Sequence, residues 1–235
     1  MDTLRAVEGR IFDGRYRWDE IEREAALRTP EVLDLVREAC LIESYFAIYT
    51  ARMTTLFADD VDATSVLAIE GFEAYTHFYL LRRYLGAVGY REVTDEDVAA
   101  LRRRDAGEEH TDEVRELVNF MATEHFAARF FDDLAERAEE PVLRELLGSL
   151  GREERTHSAF AADLLRKRIE CDPGVRERIL HHARNYRHIG SYVLGEVSNA
   201  SENNLVAVLG FNRLIEELTG ERLSDALAAG RGESR

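Results

Sequence analysis

Apolar residues recur at three- and four-residue steps along almost the whole chain, and no stretch alternates as a strand does. The period predicts a first helix over about 18–27 and a long second one from Pro30 to about 57, opened by Thr29 and a first-turn proline. Asp60 to Asp62 breaks the pattern before another long helix over about 63–85, which Gly86 and Gly89 end. Thr94 caps a short helix to about 104, a loop follows at 107–110, and Thr111 caps a long helix to about 137. A turn at Glu139, Glu140 and Pro141 leads into the fourth long helix, to about 170. Asp172 and Pro173 start a helix to about 193, 198–204 reads as a polar loop, and about 205–228 is helical with a break at Gly220. The tail after Gly230 reads as frayed. The expected fold is all-α: one domain over 1–235, with a four-helix bundle at about 30–171 and flanking helices at about 173–228. The segment 86–110 serves as the longer crossover.

The fourth long helix carries the informative anomaly. Its apolar stripe reads Leu143, Leu147, Leu150, Glu154, His157, Ala161, Leu164, so a carboxylate and an imidazole sit within the seam. The stripe of the third, Leu117, Met121, Glu124, Ala128 and Phe131, has Glu124 at mid-length. The first gives Val36, Cys40, Glu43, Ala47, and the second gives Val66, Glu70, Glu73, His77, Leu80, Tyr84. A lone glutamate in a helix ordinarily faces water, but four helices each placing one on the apolar face is a different matter. Unpaired buried carboxylates are costly and repel one another. A pair of metal ions removes both problems, and Glu, Glu-x-x-His, Glu, Glu-x-x-His over four helices is the arrangement of di-iron and di-manganese carboxylate bundles. The primary ligand set is Glu43, Glu70, Glu73, Glu124, Glu154 and His157, with His77 one turn further on as a ligand or an outer partner. Glu73 and His77 are alternatives for completing the site. Tyr45 and Tyr49 are candidates to line its cavity, although core packing is the default for aromatics.

Composition changes the picture only at its edges. The chain has 235 residues, with 31 basic against 46 acidic side chains and a net charge of −15, which argues against nucleic acid and anionic membranes as partners. No run approaches a membrane span, and the N-terminal residues lack the apolar core of a signal peptide. Cys40 and Cys171 form no CxxC pair and read as buried small hydrophobes of a cytoplasmic protein.

Several segments then resemble one family. Glu124 with His125, Phe126 and Ala127, Leu143, the run Glu153, Glu154, Arg155, Thr156, His157, Ser158, Ala159, Phe160, and Cys171, Asp172, Pro173 are similar to the soluble acyl-carrier-protein desaturases, which share the ferritin-like bundle. Glu43 followed by Tyr49 six positions on is similar to that family's first ligand glutamate and its tyrosine. The resemblance spans roughly 33–228 and is weakest after Ile189. It implies ligands at Glu43, Glu70, Glu124, Glu154 and His157, two iron ions (manganese accepts similar donors), and a homodimer. The family has histidine where this chain has Glu73, and threonine where it has Ala127. The first change makes the site richer in carboxylate, nearer to rubrerythrin-type sites.

The expected activity is that of an oxygen-dependent di-iron oxidase, desaturase or hydroxylase, acting on an organic substrate with electrons from an external donor such as a ferredoxin. The substrate is an acyl chain on a carrier protein or a small natural-product intermediate or amine. An acidic carrier needs basic docking patches, for which Arg82 with Arg83, the run Arg102 to Arg104, and Arg166 with Lys167 and Arg168 are candidates, ordinary solvated runs being the bland alternative. Iron or peroxide handling without an organic substrate, as in ferritins and rubrerythrins, is the competing class. A lipid-sized apolar cavity beside the metals favours the desaturase reading; a closed core favours the other.

Overall fold

The computed structural model describes residues 2–12, 14–105, 110–194, 197 and 204–223, and all regular elements among them are helices. They are α1 (Asp2–Phe12), a 3-10 turn at Trp18–Glu20, α2 (Arg23–Ala26), α3 (Pro30–Leu56), α4 (Val61–Val88), α5 (Asp95–Arg102), α6 (Glu113–Arg137), α7 (Pro141–Cys171), α8 (Val175–Arg184), α9 (Ser191–Leu194) and α10 (Leu205–Thr219). None of these helices is long and apolar enough to cross a membrane.

Short polar side chains set most of the boundaries by accepting the free N–H groups of the first turn. Asp60 accepts from Ala63, and Thr94 with Asp97 forms a reciprocal capping box. Asp112, rather than the expected Thr111, caps α6 through Val114 and Arg115. Glu140 does the same for α7 through Val142 and Leu143, with Pro141 in the first turn. Pro30 opens α3 as expected, but the Thr29 hydroxyl donates back to the carbonyl of Ala26 and caps nothing ahead of it. Gly89, in the left-handed region at φ 65°, closes α4, and Gly86 lies inside the helix.

Three segments depart from the periodicity. The N-terminal α1 was not legible as a helix; its Phe12 packs on Phe72, Tyr75 and Tyr79 of α4. The helix expected over 18–27 is a 3-10 turn followed by the single turn α2. The one expected from 173 to 193 stops at Arg184. There the side chains of Asn119 and Thr123 on α6 take the backbone N–H groups of Arg187 and Ile189, so those donors need no continuing helix. The loop expected at 107–110 lies outside the described residues except His110, that at 198–204 except Asn204, and the last residues of the helix expected to 228, with the tail, lie wholly outside them.

The four long helices pack as two pairs, α3 on α4 and α6 on α7, and the pairs meet across the centre. The stripe of α7 from Leu143 to Leu165 is buried, and so is that of α6 from Leu117 to Leu134. Gly151 lets α6 and α7 approach: a Cβ there would lie 3.0 Å from the Ala128 carbonyl oxygen and 2.8 Å from Asp132. That close contact lies one turn before Glu154 and fixes the spacing of the two helices at the depth of the acids. Three positions of the stripes need correction. Ala47 is exposed, and Val66 and Glu73 are only half-buried, because α4 turns Ala63, Leu67, Glu70, Ala74 and His77 inward. Cys40 is buried as expected, whereas Cys171, at the end of α7, is exposed.

Candidate metal centre

Glu43, Glu70, Glu124 and Glu154, one from each long helix, are all buried, together with His77 and His157. Their donor atoms fall into two groups, within each of which all lie within 4.8 Å of one another. One group is Glu43, His77 and Glu154; the other is Glu70, Glu124, Glu154 and His157. Glu154 belongs to both. The donor set is four hard carboxylates and two imidazoles, suited to iron or manganese and balanced in charge by two divalent ions.

The ring nitrogens divide their tasks. Nδ1 of His77 faces inward, 2.9 Å from Glu154 and 3.6 Å from Glu43, while Nε2 lies 2.8 Å from Glu153. Nδ1 of His157 faces inward, 2.8 Å from Glu154 and 2.9 Å from Glu70, while Nε2 lies 2.5 Å from Glu73. Each ring thus points one nitrogen at the cluster and holds a carboxylate with the other, as metal-bound histidines do. Arg15 pairs in turn with Glu153 from outside.

The buried oxygens are poorly satisfied by the protein alone. Oε2 of Glu70, Oε1 of Glu124 and Nδ1 of His77 have no hydrogen-bond partner. The last is 2.9 Å from Glu154 but misdirected for a bond, the geometry of two lone pairs aimed at a common point between them. Protonation is the other way to relieve the crowding, and the ionisation equilibria show it. Burial and then the Glu154 charge push Glu43 up to about 7. Burial, with Glu154 and Glu70, pushes Glu124 well above the usual range, and burial raises Glu70. Burial alone would drive protons off the two imidazoles. The surrounding carboxylates outweigh it, chiefly Glu154 and Glu153 at His77 and Glu70 and Glu154 at His157, and both pKa values are raised. Between the two rings, Glu154 is held below its ordinary value against the effect of burial.

The structure therefore brings together Glu43, Glu70, Glu124, Glu154 and His157 and adds His77, the residue the sequence left as an alternative. Glu73 stands outside both groups, half-exposed, behind His157. Glu153 and Arg15 were missed; the doubled acid ahead of His157 was the available signal. Tyr45 and Tyr49 are buried but do not line the cavity beside the acids; Tyr45 donates to Asp105. A further buried acid, Glu116 on α6, is held by Arg115 at 2.8 Å, and Nδ1 of His110 lies 3.0 Å from it without a hydrogen bond.

A cavity of about 30 Å³ meets the site between α3 and α6, lined by Glu43, Glu124, Ala39, Ile42, Phe46 and Ala127 among others. The runs of basic residues are largely engaged with acids: Arg82 with Asp95, Arg103 with Glu96, Lys167 with Asp62, and Arg168 with Asp60 and Glu113. No protein-family model, curated protein or solved structure matches the chain.

Proposed function

We propose that the protein is a di-metal carboxylate oxidoreductase of ferritin-like architecture. Glu43, His77 and Glu154 would hold one ion, and Glu70, Glu124, His157 and Glu154 the other. The single observation that supports this most is the sharing of Glu154 between two buried donor groups in which Oε2 of Glu70, Oε1 of Glu124 and Nδ1 of His77 lack hydrogen-bond partners. Two ferrous ions, held by these residues, would supply the electrons for reduction of dioxygen or peroxide. The chain's own part is to fix the donors. Glu73 and Glu153 hold the outer nitrogens of the two histidines, and the apolar walls of the bundle exclude water.

The resemblance to acyl-carrier-protein desaturases supports oxidation of an organic substrate with an external electron donor. The cavity supports the other reading, iron or peroxide handling, because about 30 Å³ has room for roughly one water-sized molecule and not an acyl chain. The engaged basic runs likewise give little support to docking of an acidic carrier protein.

Anaerobic titration with ferrous iron, followed by metal analysis and then exposure to air, tests the proposal. About two ions per chain and an optical change on oxygenation are expected. Fewer than one bound ion, with no spectral change, overturns it. Repeated additions of iron separate the two readings: an iron-handling protein consumes them catalytically, whereas an organic oxidase stops at its bound pair until substrate and reductant are given.

A further inference from the structure

Outside the two donor groups, a second buried polar cluster joins α3 to the start of α6. Three of its side-chain atoms are closed off from solvent and have no hydrogen-bond partner: the Tyr49 hydroxyl on α3, Oε2 of Glu116 on α6, and Nδ1 of His110 just ahead of α6. The side chains stand together. The His110 ring meets the Tyr49 ring edge-on at 5.8 Å, and its Nδ1 lies 3.0 Å from Oε2 of Glu116 but misdirected for a bond. Arg115 holds the other oxygen of that carboxylate, Oε1. A buried polar atom without a partner costs stability, and three side by side call for one shared occupant.

The three atoms define what that occupant is. The hydroxyl offers a proton, the carboxylate oxygen accepts one, and the imidazole nitrogen does either according to its tautomer. A metal cation is a poor fit. The Arg115 guanidinium already balances the carboxylate at 2.8 Å, and burial, and next the Glu116 charge, push Tyr49 well above its ordinary value, so the phenol keeps its proton. A water molecule, at once donor and acceptor, satisfies all three. The cluster is also in line with the candidate metal centre. Glu116 precedes Glu124 by just over two turns of α6, about 12 Å along its axis. Tyr49, across on α3, interacts electrostatically with both, more strongly with Glu116. At the other end, Arg115 is 37% exposed and brings Glu116 close to the surface.

We propose that one buried water joins Tyr49, Glu116 and His110, and that this group passes protons from the surface at Arg115 toward the metal centre on its Glu124 side. The inference rests on the di-metal reading above and adds a proton supply to it. Reduction of one dioxygen to hydrogen peroxide takes two electrons, which two ferrous ions give as they become ferric, and two protons, which must enter an apolar bundle from outside. For each proton, the Tyr49 hydroxyl gives one inward and regains one from the water, which is reprotonated through Glu116, so the chain itself ends unchanged.

Two measurements on metal-free protein test the water, and one on loaded protein tests its use. A high-resolution crystal structure is expected to show a water within hydrogen-bond distance of all three atoms. Tyr49→Phe is expected to unfold at a lower urea concentration than wild type, because it removes a bonded hydroxyl; removing a stranded one would raise the midpoint instead. In protein loaded with about two ferrous ions per chain, Tyr49→Phe and Glu116→Gln slow the reaction with dioxygen about a hundredfold and raise its solvent deuterium isotope effect, which a merely structural role would not move. Glu116→Gln preserves the shape of the side chain and keeps the test open should Tyr49→Phe not fold. A crystal structure with no water or with a metal ion at this point, a raised midpoint in Tyr49→Phe, or an unchanged rate and isotope effect in the variants overturns the inference and leaves the metal centre standing. A wild-type protein that binds no iron overturns the di-metal reading and the proton supply with it, and the iron count separates that failure from the others.

Discussion

His157 reaches Glu73 through Nε2 at 2.5 Å while its Nδ1 faces Glu154 at 2.8 Å. His77 repeats the arrangement with Glu153 outside and Glu154 inside. A carboxylate that orients a liganding imidazole tunes affinity without being counted among the ligands. Glu73→Gln and Glu153→Gln are therefore expected to keep about two ions per chain but to bind them about 10–100-fold more weakly. Metal titration with a competing chelator measures both quantities. Loss of one whole ion in Glu73→Gln would restore Glu73 to the ligand set.

Glu154 belongs to both donor groups, and Glu43 to only one. Glu154→Ala should abolish loading at both positions, whereas Glu43→Ala should retain about one ion. Metal analysis after desalting distinguishes these outcomes. Equal losses in the two variants would contradict the division of donors between the groups.

The all-α architecture and most of the site were legible because helical period alone decides which residues share a face. Glu43, Glu70, Glu124 and Glu154 fell on apolar stripes in the sequence and lie buried in the structure. What failed was finer than the period. Glu73 and His77 share a broad face of α4, and only the rotation of that helix against α7 buries His77 and leaves Glu73 half-exposed. The break after Arg184 depends on two side chains of α6 far away in sequence, which no local propensity encodes. The buried His188, on the turn that follows the break, was invisible for the same reason.

Binding of metal must displace protons from this site, which fixes the sign of its pH dependence. Glu43 is pushed up to about 7 and Glu124 stands well above its ordinary range, mainly through burial. Each must lose its proton to serve as a donor, so loading strengthens as pH rises through about 7 and weakens below it. Manganese titrations across that range, with released protons followed by a buffer indicator, should show tighter binding and less proton release at higher pH. A flat profile would mean that these carboxylates are already ionised.

Glu140 is fully buried at the start of α7, well before Glu154 on the same helix. It accepts the N–H groups of Val142 and Leu143 and the Tyr84 hydroxyl at 2.9 Å, joining the start of α7 to α4. Glu140→Ala removes the cap and strands the Tyr84 hydroxyl, a loss of about 2–4 kcal/mol, while Tyr84→Phe should cost about 1 kcal/mol. Urea unfolding of metal-free protein measures both. Near-wild-type stability in Glu140→Ala would mean that water replaces the cap.

His188 gives a second pH dependence, of stability and not of loading. Its pKa is about 4 in the folded protein against an ordinary 6.5, because burial disfavours the charged ring. Between those values the unfolded chain binds the extra proton, so stability rises with pH across this window. The contribution is complete above about 6.5 and lost below about 4, a total of about 3 kcal/mol. Other groups titrate in the same range, so the wild type alone does not isolate the effect. His188→Gln has no proton to gain there. Urea unfolding of both metal-free proteins at a series of pH values should show the wild-type advantage shrinking by about 3 kcal/mol as pH falls from 6.5 to 4. A constant difference between the two would mean that the ring is reached by water in the folded protein.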